Sequence, residues 1–209
     1  VIATPQARDG FEGPQFGMQW QWSGNGDADW ASLTARPGVL RLAVQPWNES
    51  GSLWHQASVL SQRISGPAST VTTRLELDDG KGSVRAGLIV MGDDYAWVGL
   101  ARDASGVRVV LNTANVIKSN PTAGEEERAS APLTGDAVWL RMTHVQNKCR
   151  FSFSADGKTF TPIGEEFTAK QWGSWVGAPV GLFAASAKGE KAAGHVDVDW
   201  FHVTAPEKP

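Results

Sequence analysis

The chain has 209 residues, ten tryptophans beside a single tyrosine, and a formal net charge of −3. It is long enough to bury a core within one domain, and no Lys/Arg run offers a footprint for nucleic acid or an anionic membrane surface. No apolar stretch approaches the roughly 20 residues that a membrane helix needs. The lone Cys149 excludes an internal disulfide, and no zinc-ligand spacing surrounds it.

Apolar and polar residues alternate along most of the chain, and turn signals recur at intervals that suit short strands. In chain order, the predicted strands are 39–44, 71–77, 84–91, 95–101, 107–112, 137–145, 149–153, 158–162, 180–185 and 195–204. The glycine-containing segments at 92–94 and 156–157 are predicted hairpin turns. Because two sheets can bury one face each, the pattern predicts an all-β, antiparallel two-sheet sandwich over residues 1–209, with a tail at 205–209.

Two segments interrupt the predicted strands. Residues 112–132 are polar and rich in turn formers, and their charged run at 125–128 is typical of a solvated loop without a catalytic role. Residues 45–56 hold Trp47 and Trp54 among Pro, Asn, Ser and Gly. Two large rings in a loop are difficult to bury fully, so these tryptophans are less easily assigned to the core.

Aromatic rings and amides supply the candidates for a sugar-binding site. Indole rings fill cores, and when exposed they offer flat platforms on which a sugar ring can stack, whereas amides hydrogen-bond to hydroxyl groups. The alternating Trp20 and Trp22 share one strand face, either as a platform or as core. The candidates are Trp20, Trp22, Trp54, Gln56, Gln62, Tyr95 and Trp97. Packing is the default assignment for Trp30, Trp172, Trp175 and Trp200.

Asp197 and Asp199 alternate along the last predicted strand, with Cα atoms about 6.6–6.8 Å apart. A retaining glycanase needs two carboxyl groups roughly 5–5.5 Å apart. A catalytic role for this pair of Asp residues is therefore geometrically conceivable but less favoured. Carboxylates also suit Ca²⁺, and Asp9 or Glu12 would approach Asp197 if the first and last strands lie side by side. The alternative is that one Asp faces solvent and the other caps a turn. A structural calcium ion is therefore possible, and no cofactor is required.

Seven segments, in order over nearly the whole chain, carry a resemblance to a known family. They are FEGPQFGMQWQW at 11–22, WASLTARPGVLRL at 30–42, LWHQASVLSQR at 53–63, RAGLIVMGDDYAWVGL at 85–100, CRFSFSADGKTFTPIGEEF at 149–167, VGLFA at 180–184 and HVDVDWFHV at 195–203. In combination they resemble the C-terminal β-sandwich module of glycoside hydrolase family 43 β-xylosidases and α-L-arabinofuranosidases. The combination is more specific than any single segment.

The resemblance implies a concanavalin A-like jelly roll and a non-catalytic module excised from a larger hemicellulose-degrading enzyme. Catalysis in that family belongs to a separate five-bladed propeller, and Trp54 matches the loop position that helps to wall the propeller's substrate pocket. The implied function is binding of xylan-type polysaccharide, completion of that pocket, or both; the alternative is purely structural support. The implied partners are xylan or xylo-oligosaccharide and the propeller, and a secreted or periplasmic location is favoured.

Overall fold

The computed structural model describes residues 7–64, 66–80, 82–115, 124–169 and 177–205. Within these ranges the chain forms two antiparallel sheets that enclose one apolar core, so the predicted sandwich is confirmed. The ranges contain no helix that is long and apolar enough to cross a membrane. Trp172, Trp175 and the tail residues 206–209 lie outside the described residues.

The strands follow the predicted positions closely, and short pieces extend both sheets. In chain order they are β1 Arg8–Asp9, β2 Gln21–Trp22, β3 Ala31–Ser32, β4 Leu40–Ala43, β5 Leu60–Gln62, β6 Ala68–Leu77, β7 Val84–Met91, β8 Tyr95–Asp103, β9 Gly106–Ala114, β10 Glu126–Pro132, β11 Ala137–Val145, β12 Lys148–Ser154, β13 Thr161–Pro162, β14 Phe167–Thr168, β15 Val180–Ala185 and β16 His195–Thr204. Two 3-10 turns, Ala28–Trp30 and Leu53–His55, are the helical elements of the described chain.

The first sheet has the strand order β13-β12-β11-β6-β16-β4-β3, with β1 beside β16 and β14 beside β12. In β11, Val138, Leu140 and Met142 point into the core, whereas Trp139 and Arg141 point outward. This alternation follows from the two-residue repeat of a strand. The first sheet therefore has one apolar face and one polar face.

The second sheet has the order β10-β9-β8-β7-β15-β5-β2 and is buried on both faces along its central strands. Leu88, Val98 and Leu182 face the core between the sheets. The alternate residues, among them Ile89, Trp97 and Phe183, form a second apolar cluster on the outward face. Leu53 and Val59 belong to the same cluster, so the loop that carries them covers this face.

The prediction of a loop over residues 112–132 is wrong at both ends that the structure describes. β9 continues to Ala114, and Glu126–Pro132 forms β10, which pairs antiparallel with β9. β10 is an edge strand whose residues are mostly exposed, so it needs no apolar alternation. Its polar composition therefore resembled that of a loop.

Candidate functional site

The loop of residues 46–59, called here the Trp54 loop, presents one indole ring to solvent. Trp54 is 38% exposed, and among the described tryptophans it is the only one in the exposed class. Its neighbour Leu53 is fully buried in the second apolar cluster, and the Leu53 amide donates to the Tyr95 hydroxyl at 3.0 Å. Ser52 caps the 3-10 turn by accepting from the Trp54 amide. The ring therefore projects from an anchored turn.

Gln56 fixes the Trp54 loop from within. Its Oε1 accepts from the Asn48 side chain at 2.9 Å and from the Asn48 amide at 3.3 Å. Its Nε2 donates to the Pro46 carbonyl at 3.2 Å and to Ser58 Oγ at 3.0 Å. Both acceptor positions and both donor hydrogens of the amide are thus used. Gln56 stabilises the loop, and its amide has no group left for a sugar hydroxyl.

Tyr95 and Trp97, predicted as candidate platforms, are fully buried. Trp97 packs edge-on against Phe183, with ring centroids 5.0 Å apart. The Tyr95 hydroxyl donates to Glu125 Oε1 at 2.8 Å, and burial together with that carboxylate raises the pKa of Tyr95. Because the Trp54 loop covers this face of the sheet, neither ring is accessible for stacking.

Trp20, Trp22 and Gln62 lie on the core side of the sandwich. Trp20 is buried, packs edge-on against Phe201 and donates its indole N–H to Asp9 Oδ2 at 2.7 Å. Trp22 is half-buried and packs edge-on against Trp30 at 5.4 Å. Gln62 is buried on β5, whose neighbouring inward residue belongs to the core. For the two tryptophans, the structure favours the packing alternative over the platform.

The four carboxylates considered for calcium do not converge. β1 does pair with β16, but Asp9 lies opposite Phe201, and its oxygens accept from Phe11 and Trp20. Asp199 is bound by Arg74 instead. Within the described ranges, which include Glu12, no group of three or more His, Cys, Asp or Glu side chains is placed to hold a metal ion.

Asp197 and Asp199 belong to an ion network on the outward face of the first sheet. Arg41 donates two bonds of 2.8 Å to Asp197, and Arg36 donates a third at 3.0 Å. Burial alone would raise the pKa of Asp197, but the bonds from these arginines outweigh it and lower the pKa. A general acid needs the opposite shift, so this pair is poorly suited to glycanase chemistry. Arg74 joins Asp199 to the network through Glu76.

A cleft of about 440 Å³ opens on the outward face of the second sheet. We call it the Trp47 cleft, and its principal lining residues are Trp47, Arg85, Arg108, Asn112, Glu125 and Lys188. The Arg85 guanidinium lies over the Trp47 ring at 4.4 Å and over the Trp97 ring at 5.1 Å. Glu125 pairs with Arg85 and accepts from Tyr95. The cleft thus has an indole wall and a polar floor.

Sequence reasoning missed most of this cleft. Glu125 was assigned to a solvated run, yet its side chain is only 6% exposed because Arg85 and Tyr95 enclose it. Asn112 went unnoticed at the end of a predicted strand, although an amide among Val and Leu residues is a signal in itself. Arg85 is likewise a charged residue near the start of the apolar strand β7. Nothing in the sequence indicated that these side chains share one cleft.

Comparisons with known proteins identify similar domains along nearly the whole chain. A family model described as the β-xylosidase C-terminal concanavalin A-like domain matches residues 8–204. A β-xylosidase of Formosa agariphila is 30% identical over 96% of this chain and 35% of its own length. A xylan 1,3-β-xylosidase of Vibrio sp is 25% identical over 93% of this chain and 37% of its own. The chain therefore spans little more than a third of these relatives.

Solved structures show the same fold. An engineered family 43 glycoside hydrolase that displays endo-xylanase and exo-arabinofuranosidase activity superposes with a TM-score of 0.88 at 23% identity, over 99% of this chain and 42% of that one. A family 43 protein of Bacillus licheniformis gives a TM-score of 0.81 at 20% identity, over 99% and 40%. The matched family model covers nearly the whole chain, and the chain therefore belongs to the family of β-xylosidase C-terminal concanavalin A-like domains.

Proposed function

We propose that this chain is a non-catalytic accessory module of a family 43 hemicellulose-degrading enzyme, and that its Trp54 loop completes the substrate pocket of the catalytic propeller. The substrate class is xylan-type polysaccharide, in keeping with the xylosidase names of the relatives. A secreted or periplasmic location belongs to the same proposal, because a polymeric substrate is too large to enter a cell intact. The observation that carries the proposal is the solvent-exposed Trp54 ring on an anchored loop.

The anchoring of the loop is the physical reason for this choice. The amphipathic indole ring suits the apolar face of a pyranose. The buried Leu53 and the saturated Gln56 amide fix the position of Trp54 before any ligand arrives. Such preorganisation reduces the entropy lost when a pocket closes around a sugar. A wall at a fixed distance would also limit how many sugar units the pocket accepts.

The test compares Trp54→Ala, Trp54→Phe and Met18→Ala in the intact enzyme that carries this module. Met18 is an exposed apolar residue outside the Trp54 loop and serves as the control. We expect Trp54→Ala to lower kcat/KM on xylobiose about tenfold, equivalent to roughly 1.4 kcal/mol, with partial recovery in Trp54→Phe. Met18→Ala should match the parent enzyme. An unchanged kcat/KM in Trp54→Ala would contradict pocket completion.

Structural support of the propeller is the second candidate. The observation in its favour is the outward face of the first sheet, where the half-buried ring of Trp139 lies under Arg74, with 5.1 Å between the guanidinium carbon and the ring centroid. Contacts between domains of one chain are commonly polar, as this face is. Deletion of the module should then lower the melting temperature of the propeller even when Trp54→Ala leaves turnover intact. Equal melting temperatures with and without the module would exclude support.

A further inference from the structure

Asn112 is the least satisfied polar side chain of the Trp47 cleft. It is 4% exposed and lines the cleft, with Trp97 opposite it on β8 and Glu127 opposite it on β10. Its side-chain amide forms no hydrogen bond within the described residues. The amide nitrogen and oxygen of Asn112 are not among the fully enclosed atoms without a partner, so they are open to a ligand in the cleft. Two donor hydrogens and an acceptor oxygen remain available to a ligand.

Among the described residues that line the cleft, Arg85, Arg102 and Arg108 have ion-pair partners, whereas Lys188 has none. Arg85 pairs with Glu125, and Arg108 pairs with Asp103 at 2.5 Å and Glu127 at 3.2 Å. Lys188 forms no ion pair with any residue in the described part of the chain. The Lys188 ammonium is therefore available to pair with a negatively charged group of a ligand.

Lys188 and the wall of the cleft meet at Gly51. A Cβ placed on Gly51 would lie 3.5 Å from the Lys188 ammonium and 4.0 Å from the Trp47 indole nitrogen. Gly51 has a φ of +74°, which favours glycine, so the turn keeps this position free of a side chain. The ammonium and the indole N–H thus border the same open position.

We propose that the Trp47 cleft binds a sugar that bears a carboxylate, namely a hexuronic acid unit. The Asn112 amide hydrogen-bonds to ring hydroxyls, the Lys188 ammonium pairs with the carboxylate, and Trp47 forms one wall. The ion-paired Arg85 and Glu125 add fixed donors and acceptors of the kind that vicinal hydroxyls require. The volume of about 440 Å³ suits a small ligand. This site is separate from the Trp54 ring and does not depend on pocket completion.

The test is a titration of the ¹⁵N-labelled chain with sodium D-glucuronate and, separately, with D-glucose, followed by NMR. The two sugars share the pyranose ring and differ at C6, where a carboxylate replaces a hydroxymethyl group. Glucuronate should shift the Asn112 side-chain amide and the Trp47 indole resonance. Glucose should bind about tenfold more weakly, which corresponds to roughly 1.4 kcal/mol for the lost ionic hydrogen bond.

Matched variants identify the groups responsible. Lys188→Met should weaken glucuronate binding about tenfold and leave glucose binding unchanged, whereas Lys191→Met, an exposed lysine outside the cleft lining, should change neither. Asn112→Ala should abolish both titrations without lowering the urea midpoint, because the amide has no partner to lose. A lower urea midpoint would instead assign Asn112 a structural role and overturn its part in binding.

Two results would overturn the proposal. One is the absence of shifts at Asn112 and Trp47 with either sugar up to its solubility limit. The other is equal binding of glucuronate to the parent chain and to Lys188→Met. Trp54→Ala should bind glucuronate as the parent chain does, so a failure of the uronate site and a failure of pocket completion are distinguishable.

Discussion

The two outward faces of the sandwich differ in composition and in what stabilises them. On the first sheet, outward arginines and carboxylates such as Arg41 and Asp197 neutralise each other across neighbouring strands. On the second sheet, the outward residues are apolar, and the Trp54 loop covers part of them by inserting Leu53. The first face satisfies its own polar groups, whereas the second needs a cover.

The difference explains where unsatisfied groups remain. A flat network of ion pairs lets each charge find a partner on the adjacent strand. A loop laid over a sheet cannot fit everywhere, and the Trp47 cleft is the space that remains beside it. Asn112 and Lys188 retain their hydrogen-bonding capacity in that space. The covered face is therefore the better place to search for ligands.

Loss of the cover should have the largest effect on stability. Leu53→Ala removes a fully buried side chain from the second apolar cluster, and we expect it to cost about 2–5 kcal/mol in the free energy of unfolding. Urea denaturation of the isolated chain measures this cost. Val145→Ala, at a 55% exposed position on the first sheet, is the control and should stay within about 0.5 kcal/mol. Equal costs for the two variants would show that the loop is not anchored.

Disruption of the ion network on the outward face of the first sheet should lower the free energy of unfolding less than Leu53→Ala does. Asp197→Ala leaves Arg36 and Arg41 without their shared acceptor, and we expect about 1–3 kcal/mol, nearer the lower value because both arginines can regain water. Arg108→Met is the counterpart in the Trp47 cleft, where its half-exposed ion pairs should contribute about 0–1 kcal/mol. The reverse order in urea denaturation would contradict the contrast between the two faces.

Mild acid should lower the free energy of unfolding through histidines that lie in the first sheet. Burial lowers the pKa of His144, whose Nε2 has no hydrogen-bond partner among the described residues. The unfolded chain then gains a proton near the usual pKa of 6.5 before the folded chain does, so stability is present above pH 6.5 and falls as pH decreases toward the lowered folded pKa.

The effect of mild acid is measured as the free energy of unfolding against pH. His144→Leu should flatten the curve between neutral pH and mild acid, and a residual slope should remain from His202, whose pKa is lowered in the same direction. The described strands of the second sheet contain no histidine, which makes the contrast specific. An unchanged slope in His144→Leu would refute this assignment.

The smallest effect on stability is expected at Trp54. Its ring is exposed, so Trp54→Ala should change the free energy of unfolding of the isolated chain by less than about 1 kcal/mol. Leu53 and Trp54 are adjacent in one 3-10 turn, yet one anchors the loop and the other faces solvent. Thermal unfolding of both variants tests this division. A large loss of stability in Trp54→Ala would show that the ring is a packing residue.

Much of the fold was predictable from local sequence pattern. The alternation of apolar and polar residues located β7, β11 and β16, and the turns at 92–94 and 156–157 were indicated by their glycine. The pattern also placed Trp54 in a loop. These features depend on the period of a strand and on turn chemistry, which neighbouring residues determine.

What covers each face was decided by tertiary structure alone. Tyr95 and Trp97 have the same alternation as a solvent-exposed pair would have, but a loop about 40 residues earlier in the chain buries them. Glu125 is enclosed because Arg85 and Tyr95 reach it from β7 and β8. The sequence by itself therefore determined which residues form strands and share a face. Burial and the grouping of Asn112, Lys188 and Trp47 around one cleft depend on long-range packing, which no local period encodes.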